Sequence, residues 1–192
     1  MKEIVIASGN KGKIKEAQEI LIGYKIISMK ELGLDIDIDE DKKTFEENAI
    51  KKAEQIFKEI NRTCMSDDSG IEIEYLNGFP GVRTKRWHFG TDRERNLALI
   101  KKLEGVSKEN RKIKFTTAIA VSDGKNTICK TGSIEGYVVE TPRGNNGFGF
   151  DEIFELENGK TLAELSQEEK NKISARKIAL EKIRKELEKR YN

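Results

Sequence analysis

An aromatic and glycine-rich segment, Gly147-Phe148-Gly149-Phe150-Asp151, has the residue types needed to bind a planar heterocycle. Glycine lets the backbone approach a ligand closely, and an exposed aromatic ring offers a stacking face. An aspartate can accept hydrogen bonds from N–H groups on the edge of a base. The alternative is a hairpin turn that carries two core phenylalanines. This segment alone does not decide between the two.

A short polar loop between a predicted strand and a predicted helix favours phosphate binding. It consists of Ser8, Gly9, Asn10, Lys11, Gly12 and Lys13. The free backbone N–H groups at the start of a helix attract anions, and Lys13 adds a positive charge. The spacing is not that of a Walker A loop. An ordinary turn is the alternative.

Two adjacent carboxylates, Asp67 and Asp68, precede Ser69-Gly70 at the predicted end of a strand. Ligands of α/β sheets bind at such strand ends. Mg²⁺ takes oxygen ligands from one or two carboxylates together with substrate phosphates. The alternative is that Asp68 begins an Asx turn.

The acidic loop 35–41 is a second source of metal ligands, although most of its residues are expected to be solvated. We prefer Glu40 to Glu47 as a ligand, because Glu47 lies three residues after Thr44 and is explained as the partner in a helix capping box. Lys170 and Arg176 flank a predicted helix break at Ser174. The sequence does not decide whether these two cations bind a ligand or are solvated.

The elements that must position these residues alternate between strand and helix patterns. The predicted strands are 4–7, 25–28, 63–66, 71–75, 112–122 and 126–139, and the predicted helices are 13–22, 44–60, 92–103, 161–173 and 174–189. This order predicts an α/β fold with a mixed sheet and flanking helices.

The composition of the chain argues against several classes of function. The 192 residues include 36 Lys and Arg against 34 Asp and Glu, so there is no basic excess typical of a nucleic-acid partner. Two cysteines and a single histidine favour neither a disulfide framework nor a zinc site. No signal peptide or membrane-spanning run is predicted. We expect a soluble cytoplasmic protein with no membrane partner.

Taken together, the motifs resemble those of the inosine triphosphate pyrophosphatase family, whose members hydrolyse ITP, dITP and XTP. The resemblance covers nearly the full chain. It rests on Ser8-Gly9-Asn10 with Lys13, Thr44 to Ala49 with Lys52, Asp67 to Gly70, Leu76 to Val82, Gly147 to Asp151, and Thr161 to Arg176.

The resemblance implies a single two-lobed domain over 1–192 with a central cleft, a homodimer, Mg²⁺ as cofactor and a purine nucleoside triphosphate as the small-molecule substrate. Asp68 would be the catalytic base and a metal ligand, Glu40 the second metal ligand, and Lys52 a catalytic cation near the phosphates. The loop Ser8 to Lys13 would hold phosphates. Further substrate-binding residues would be Ser69, Phe148, Gly149, Phe150, Asp151, Lys170, Ala175 and Arg176, with Phe148 stacking on the base and Asp151, Ala175 and Arg176 near its edge.

Several positions depart from the family pattern. Ala175 stands where the family has a histidine near the purine edge, and Glu152 stands where a proline is usual. Asp41-Lys42 replaces the usual Thr-Gly after Glu40, and Arg83 replaces a tyrosine. The alternatives are therefore a pyrophosphatase of relaxed or altered base preference, or a non-catalytic nucleotide-binding module. The presence of Asp68, Lys13 and Lys52 argues against the second.

Overall fold

The computed structural model describes residues 2–191, and for residues 190 and 191 only the backbone. Its helices are α1 (Lys11–Ile20), α2 (Phe45–Ile60), α3 (Asp92–Lys102), α4 (Gln167–Ile173) and α5 (Ala175–Tyr191). Its strands are β1 (Lys2–Ile6), β2 (Tyr24–Ser28), β3 (Cys64–Ile73), β4 (Phe79–Pro80), β5 (Lys112–Ser122), β6 (Thr127–Val138) and β7 (Phe154–Glu155).

The seven strands form one sheet with the order β2-β1-β3-β5-β6-β7, and β4 pairs with β3. Strand β1 runs parallel to both β2 and β3, whereas β4 and β7 pair antiparallel with their neighbours. The predicted α/β fold with a mixed sheet is therefore confirmed.

The chain divides into two compact units. The first unit comprises Met1–Ser69, Thr117–Ser133 and Ala175–Asn192, and the second comprises Gly70–Thr116 and Ile134–Ser174. The long strands β3, β5 and β6 each contribute residues to both units.

Each unit has its own apolar core. In the first unit, residues of the sheet pack with α1 and α5, and the cluster includes Ile4, Ile6, Leu21, Met65, Ile119, Leu180 and Ile183. In the second unit, the cluster includes Ile71, Ile73, Leu99, Leu103, Ile113, Val138, Ile153 and Phe154. Burial of these side chains is the main force that holds each unit together.

Helix α2 begins as the sequence predicts. The Thr44 side chain accepts a hydrogen bond from the Glu47 backbone N–H, and the Glu47 carboxylate accepts one from the Thr44 backbone N–H. This capping box satisfies two N–H groups that the helix itself leaves unpaired. The role assigned to Glu47 is therefore confirmed.

The sequence wrongly divides β3 into two strands with a turn at Asp67-Asp68-Ser69-Gly70. The structure has one continuous strand from Cys64 to Ile73. Polar side chains here resemble a turn signal, but Asp67 and Asp68 are both buried and hydrogen-bonded. Partners elsewhere in the first unit thus stabilise a conformation that the local sequence disfavours.

The predicted single helix over 161–173 is also wrong. Thr161 precedes a short 3-10 turn, Leu162–Glu164, and Leu165 is extended. Ser166 then caps α4 through a capping box with Glu169. The predicted break at Ser174 is confirmed, because α4 ends there and α5 begins at Ala175.

Close approach of α5 to the sheet depends on a glycine in β6. A Cβ atom at Gly132 would lie 2.1 Å from the Ala175 carbonyl oxygen and 2.7 Å from the Ala179 nitrogen. No other residue type leaves room for the helix at this point.

Within residues 2–191, no helix is both long enough and apolar enough to cross a membrane.

Candidate active site

Asp68 is a buried carboxylate near the middle of β3. Its Oδ2 accepts a hydrogen bond from Asn48 Nδ2 at 2.9 Å, and its Oδ1 accepts one from the Ser69 backbone N–H at 2.9 Å. Burial and the negative charge of Glu40 raise the pKa of Asp68, against the opposing effects of Asn48 and Lys52. A raised pKa makes this carboxylate a stronger base.

Asn48 lies in the candidate site, and sequence reasoning did not nominate it. It is fully buried on α2, where its Nδ2 donates to Asp68 and its Oδ1 accepts from the Lys42 backbone N–H at 2.9 Å. A signal was available, because an asparagine occupies the buried face of α2 beside Phe45, Ala49 and Ala53. A polar side chain in an apolar stripe requires hydrogen-bond partners.

Lys52 links the second candidate carboxylate to β3. Its Nζ lies 2.6 Å from Glu40 Oε1 and donates to the Asp67 carbonyl oxygen, also at 2.6 Å. Both side chains are largely buried. The structure therefore brings Glu40, Lys52 and Asp68 together in the first unit, and the roles that the resemblance implies for them stay predictions.

The carboxylate pair Glu40 and Asp68 fits a hard divalent cation. The charge of Glu40 disfavours ionisation of Asp68, and a cation bound by both oxygen donors would relieve this repulsion. Within residues 2–191, no third His, Cys, Asp or Glu side chain joins a cluster that could hold a metal. Mg²⁺ sites commonly use only one or two carboxylates, because water and phosphate oxygens supply the other ligands.

Asp67 points to a different set of partners. Its Oδ2 lies 2.8 Å from Lys13 Nζ and 2.7 Å from the Arg176 guanidinium. Burial alone would raise the pKa of Asp67, but the charges of Arg176 and Lys13 outweigh it and hold that pKa far below its usual range. Arg176 also lies 3.5 Å from Glu16. The result is a largely buried cluster of two cations and two carboxylates.

The predicted phosphate loop caps its own helix. Asn10 Oδ1 accepts from the Gly12 and Lys13 backbone N–H groups at 2.8 and 3.3 Å, and Ser8 Oγ accepts from the Asn10 N–H at 3.2 Å. The expectation that these helix-start N–H groups are free is therefore wrong, because the asparagine side chain already binds two of them. A phosphate at these amides would have to displace Asn10. Gly9 and Lys11 are exposed in the same loop.

In the second unit, the two phenylalanines of the aromatic segment have different environments. Phe148 is 64% exposed, whereas Phe150 packs against the apolar core. Phe150 is packed as the alternative of core phenylalanines requires, and Phe148 is not. The exposed Phe148 ring is accessible to a planar ligand, and its stacking on a base stays a prediction.

Asp151 shapes the backbone beneath Phe148. Its Oδ2 accepts from the Phe148 N–H at 2.8 Å and pairs with the Lys170 ammonium group. A Cβ atom at Gly147 would lie 2.0 Å from the same oxygen, and Gly147 has a φ of 81°, so only glycine fits here. Lys170 Nζ lies 4.5 Å from the centre of the Phe148 ring. The structure thus brings Phe148, Asp151 and Lys170 together.

Three further predicted residues, Ser69, Ala175 and Arg176, lie in the first unit. Ser69 Oγ donates to Thr117 Oγ1 at 3.0 Å. Ala175 is completely buried, and its methyl side chain has no hydrogen-bonding atom. Arg176 is placed beside Asp67 and Glu16. Its guanidinium therefore shares the Asp67 carboxylate with Lys13.

The protein combines an α/β fold and a mixed sheet with a buried carboxylate, a second carboxylate beside it, and clustered lysine and arginine side chains. These features define a protein equipped to act on a phosphorylated ligand. The model of the Ham1 family matches residues 4–186. The chain belongs to this family, and the resemblance stated from its motifs is confirmed.

Individual relatives are similar to the chain over nearly its whole length. The chain is 46% identical to the dITP/XTP pyrophosphatase of Bacillus subtilis, with 98% of each chain covered. It is 44% identical to the dITP/XTP pyrophosphatase of Bacillus licheniformis, over 95% of this chain and 96% of that one. The structure of the Staphylococcus aureus Ham1 protein has a TM-score of 0.91 at 38% identity, and the match covers 98% of this chain and 100% of that chain.

Proposed function

We propose that this protein hydrolyses non-standard purine nucleoside triphosphates, dITP and XTP above all, to the monophosphate and pyrophosphate. The relatives named above support the substrate class. The observation that carries the proposal is the buried Asp68 carboxylate, held by Asn48 and Ser69 and adjoined by Glu40 and Lys52. Burying a carboxylate is unfavourable for folding, so the burial of Asp68 favours a catalytic role over a purely structural one.

Asp68 would act as the general base. A water molecule attacks the α-phosphorus, Asp68 accepts a proton from that water, and the bond from the α-phosphorus to the bridging oxygen breaks. Pyrophosphate leaves with the electron pair of that bond. The hydrogen bonds from Asn48 and Ser69 orient the two carboxylate oxygens, and each oxygen retains a lone pair for the water.

Glu40 and Asp68 would hold Mg²⁺. When bound, the ion would neutralise charge on the phosphate oxygens and favour their displacement as pyrophosphate. Lys52 would supply a further positive charge, since its Nζ already lies between Glu40 and the backbone of Asp67.

The triphosphate would bind near Lys13 and Arg176. Asp67 neutralises part of their charge and holds both side chains in place, so that they are oriented before the substrate arrives. Ser8, Ser69 and the exposed part of the loop 9–12 would add polar contacts.

The purine would bind at the aromatic segment of the second unit. The exposed ring of Phe148 is the stacking surface, and the Lys170 ammonium group beside it is a hydrogen-bond donor. A 6-oxo purine presents a carbonyl acceptor there, whereas adenine presents an amino donor. Because Ala175 is buried and apolar, the choice of base rests on Lys170 and Asp151. A relaxed base preference is therefore the second candidate function.

A homodimer and a cytoplasmic location stay predictions.

The test is a substrate screen. Purified protein is incubated with dITP, XTP, dGTP and dUTP, with Mg²⁺ or with EDTA, and the products are separated by chromatography. We expect monophosphate and pyrophosphate in equal amounts, fastest from XTP and dITP, and none in EDTA. Equal rates for all four nucleotides would favour the relaxed candidate. Diphosphate and inorganic phosphate as products would contradict the proposed reaction.

A further inference from the structure

Helix α3 binds both backbone groups of a single residue in the aromatic segment. The Gly149 N–H donates to Asp92 Oδ2 at 2.9 Å, and the Gly149 carbonyl accepts from Asn96 Nδ2 at 2.8 Å. Asp92 and Asn96 are four residues apart and therefore share one face of the helix. All three residues belong to the second unit. One rigid element thus fixes the peptide groups on both sides of Gly149.

The orientation of the Asn96 amide is dictated by this contact. Asn96 is 1% exposed, and its Nδ2 also donates to Glu152 Oε1 at 2.8 Å. Its Oδ1 is buried and finds no partner among the described residues. Exchanging the amide oxygen and nitrogen would place the oxygen against two acceptors, the Gly149 carbonyl and the Glu152 carboxylate.

An unpartnered buried oxygen is unfavourable for folding. The side chain keeps it because its amide nitrogen donates both to the Gly149 carbonyl and to the Glu152 carboxylate. Buried polar atoms without partners are uncommon in native proteins, and each calls for such a reason.

Phe148 depends on this support because its own ring contributes little packing. The ring is 64% exposed, so its position follows the backbone on either side. Asp151 accepts from the Phe148 N–H, and Asp92 and Asn96 hold the next residue, Gly149. Gly149 adopts a φ of 64° and has no side chain to restrict its backbone, so the contacts with Asp92 and Asn96 supply the restraint.

We infer that Asp92 and Asn96 are positioning residues for base recognition: they hold Gly149 so that the Phe148 ring is ready to stack on the purine. This inference rests on the proposed function of the segment. Loss of either contact lets the ring sample other positions, which weakens binding of the base. The phosphate chemistry assigned to Asp68 is unchanged. The effect therefore falls on KM more than on kcat.

The test compares four variants. Asn96→Leu removes both donors and also the unpartnered oxygen while keeping a similar volume. Asp92→Ala removes the acceptor of the Gly149 N–H, and Asp92→Asn keeps one acceptor oxygen. Arg93→Ala is the matched control. Arg93 lies on the same helix as Asp92 and Asn96 and pairs with Glu152, but it contacts neither backbone group of Gly149.

Steady-state pyrophosphate release from XTP and dITP gives kcat and KM, and thermal unfolding gives stability. We expect Asn96→Leu and Asp92→Ala to raise KM roughly tenfold, as for the loss of one well-formed polar contact, with a much smaller change in kcat. Asp92→Asn should largely restore KM, and Arg93→Ala should keep the wild-type value. An unchanged KM in both Asn96→Leu and Asp92→Ala, with only a lower melting temperature, would overturn the inference.

Hydrogen exchange of the peptide containing 147–151 provides a readout that does not need activity. Exchange should be faster in Asn96→Leu and Asp92→Ala than in Arg93→Ala, and equal rates would contradict the role of α3. If Asn96→Leu fails to fold, Asp92→Ala carries both measurements. If the wild type releases no pyrophosphate from any nucleotide, the proposed function is overturned, and the exchange rates then decide whether α3 holds the segment.

Discussion

The Asp67 carboxylate and the Arg176 guanidinium lie 2.7 Å apart, although they are 109 residues apart in the sequence. The same carboxylate oxygen binds Lys13. Both cations were expected to contact substrate, and the structure shows that a buried carboxylate first positions them. Asp67 therefore organises the two cations that are proposed to bind the triphosphate.

Replacing Asp67 should be costly for stability. Asp67→Asn leaves Lys13 and Arg176 buried beside a neutral amide, and we expect a loss of about 3 kcal/mol in the free energy of unfolding. Urea unfolding followed by circular dichroism measures it. Glu3→Gln is the control, since it breaks the exposed pair of Glu3 with Arg62 and should have no comparable effect. Equal unfolding midpoints for the two variants would show that the Asp67 cluster is not stabilising.

Replacing Asp68 should abolish catalysis and leave the fold intact. Asp68→Asn keeps the shape of the side chain but removes its basicity, and we expect kcat to fall by about 10²–10⁴. Pyrophosphate release from XTP measures the rate, and circular dichroism checks the fold. Asp37→Asn, in the exposed acidic loop, should retain full activity. Appreciable turnover by Asp68→Asn would exclude Asp68 as the base.

Two nearby glutamates allow a direct test of the metal ligands. Glu40→Gln removes a proposed ligand, so half-maximal activity should require roughly tenfold more Mg²⁺. Glu47→Gln preserves the capping box, because glutamine also caps a helix at this position. Its Mg²⁺ dependence should match that of the wild type. Activity titrated against Mg²⁺ separates the two variants, and a larger shift for Glu47→Gln would reverse the assignment.

Glu155 should make stability depend on pH. Hydrogen bonds and charges from Lys108 and Arg143 hold the pKa of Glu155 below its ordinary value of 4.5, against the effect of burial. A lowered pKa in the folded state stabilises the protein above the unfolded-state pKa, and this contribution is lost as pH falls through the folded-state pKa.

The variant Glu155→Gln should therefore be less stable than the wild type at neutral pH by roughly 1–2 kcal/mol. The difference should shrink as pH falls below 4.5, the ordinary value of this group. Urea unfolding midpoints of both proteins, measured in steps from neutral to acidic pH, test this. A difference that stays constant across the range would show that ionisation of Glu155 does not contribute.

Local signals predicted much of the fold. The capping box at Thr44 and Glu47 and the break at Ser174 depend on residues close in sequence. The continuous strand through Asp67 and Asp68 could not be predicted in this way. Its polar residues are stabilised by Lys13, Asn48 and Arg176, which are distant in the chain.

In the candidate site, too, some residues could be predicted from the sequence and others could not. The types and spacing of Asp68, Glu40 and Phe148 were sufficient to nominate them, and the family resemblance added Lys52. The structure brings Asp68, Glu40 and Lys52 together. Asn48 and Asn96 were missed, because each acts by a side-chain amide on a helix whose partner lies on another element. A buried asparagine in an otherwise apolar helix face is the sequence signal to look for.

The division of the chain into two units, each built from separate segments, has a consequence for its synthesis. Because the first unit is assembled from three separate segments, ribosomal translation delivers Lys13 and Asp67 early and Arg176 only when most of the chain has been made. Until then, one of the two cations that offset the buried charge of Asp67 is missing. Prematurely terminated chains without α5 would retain this imbalance and expose apolar residues such as Ile4 and Met65 that α5 covers. Proteases that recognise unfolded chains would therefore distinguish them from the finished protein.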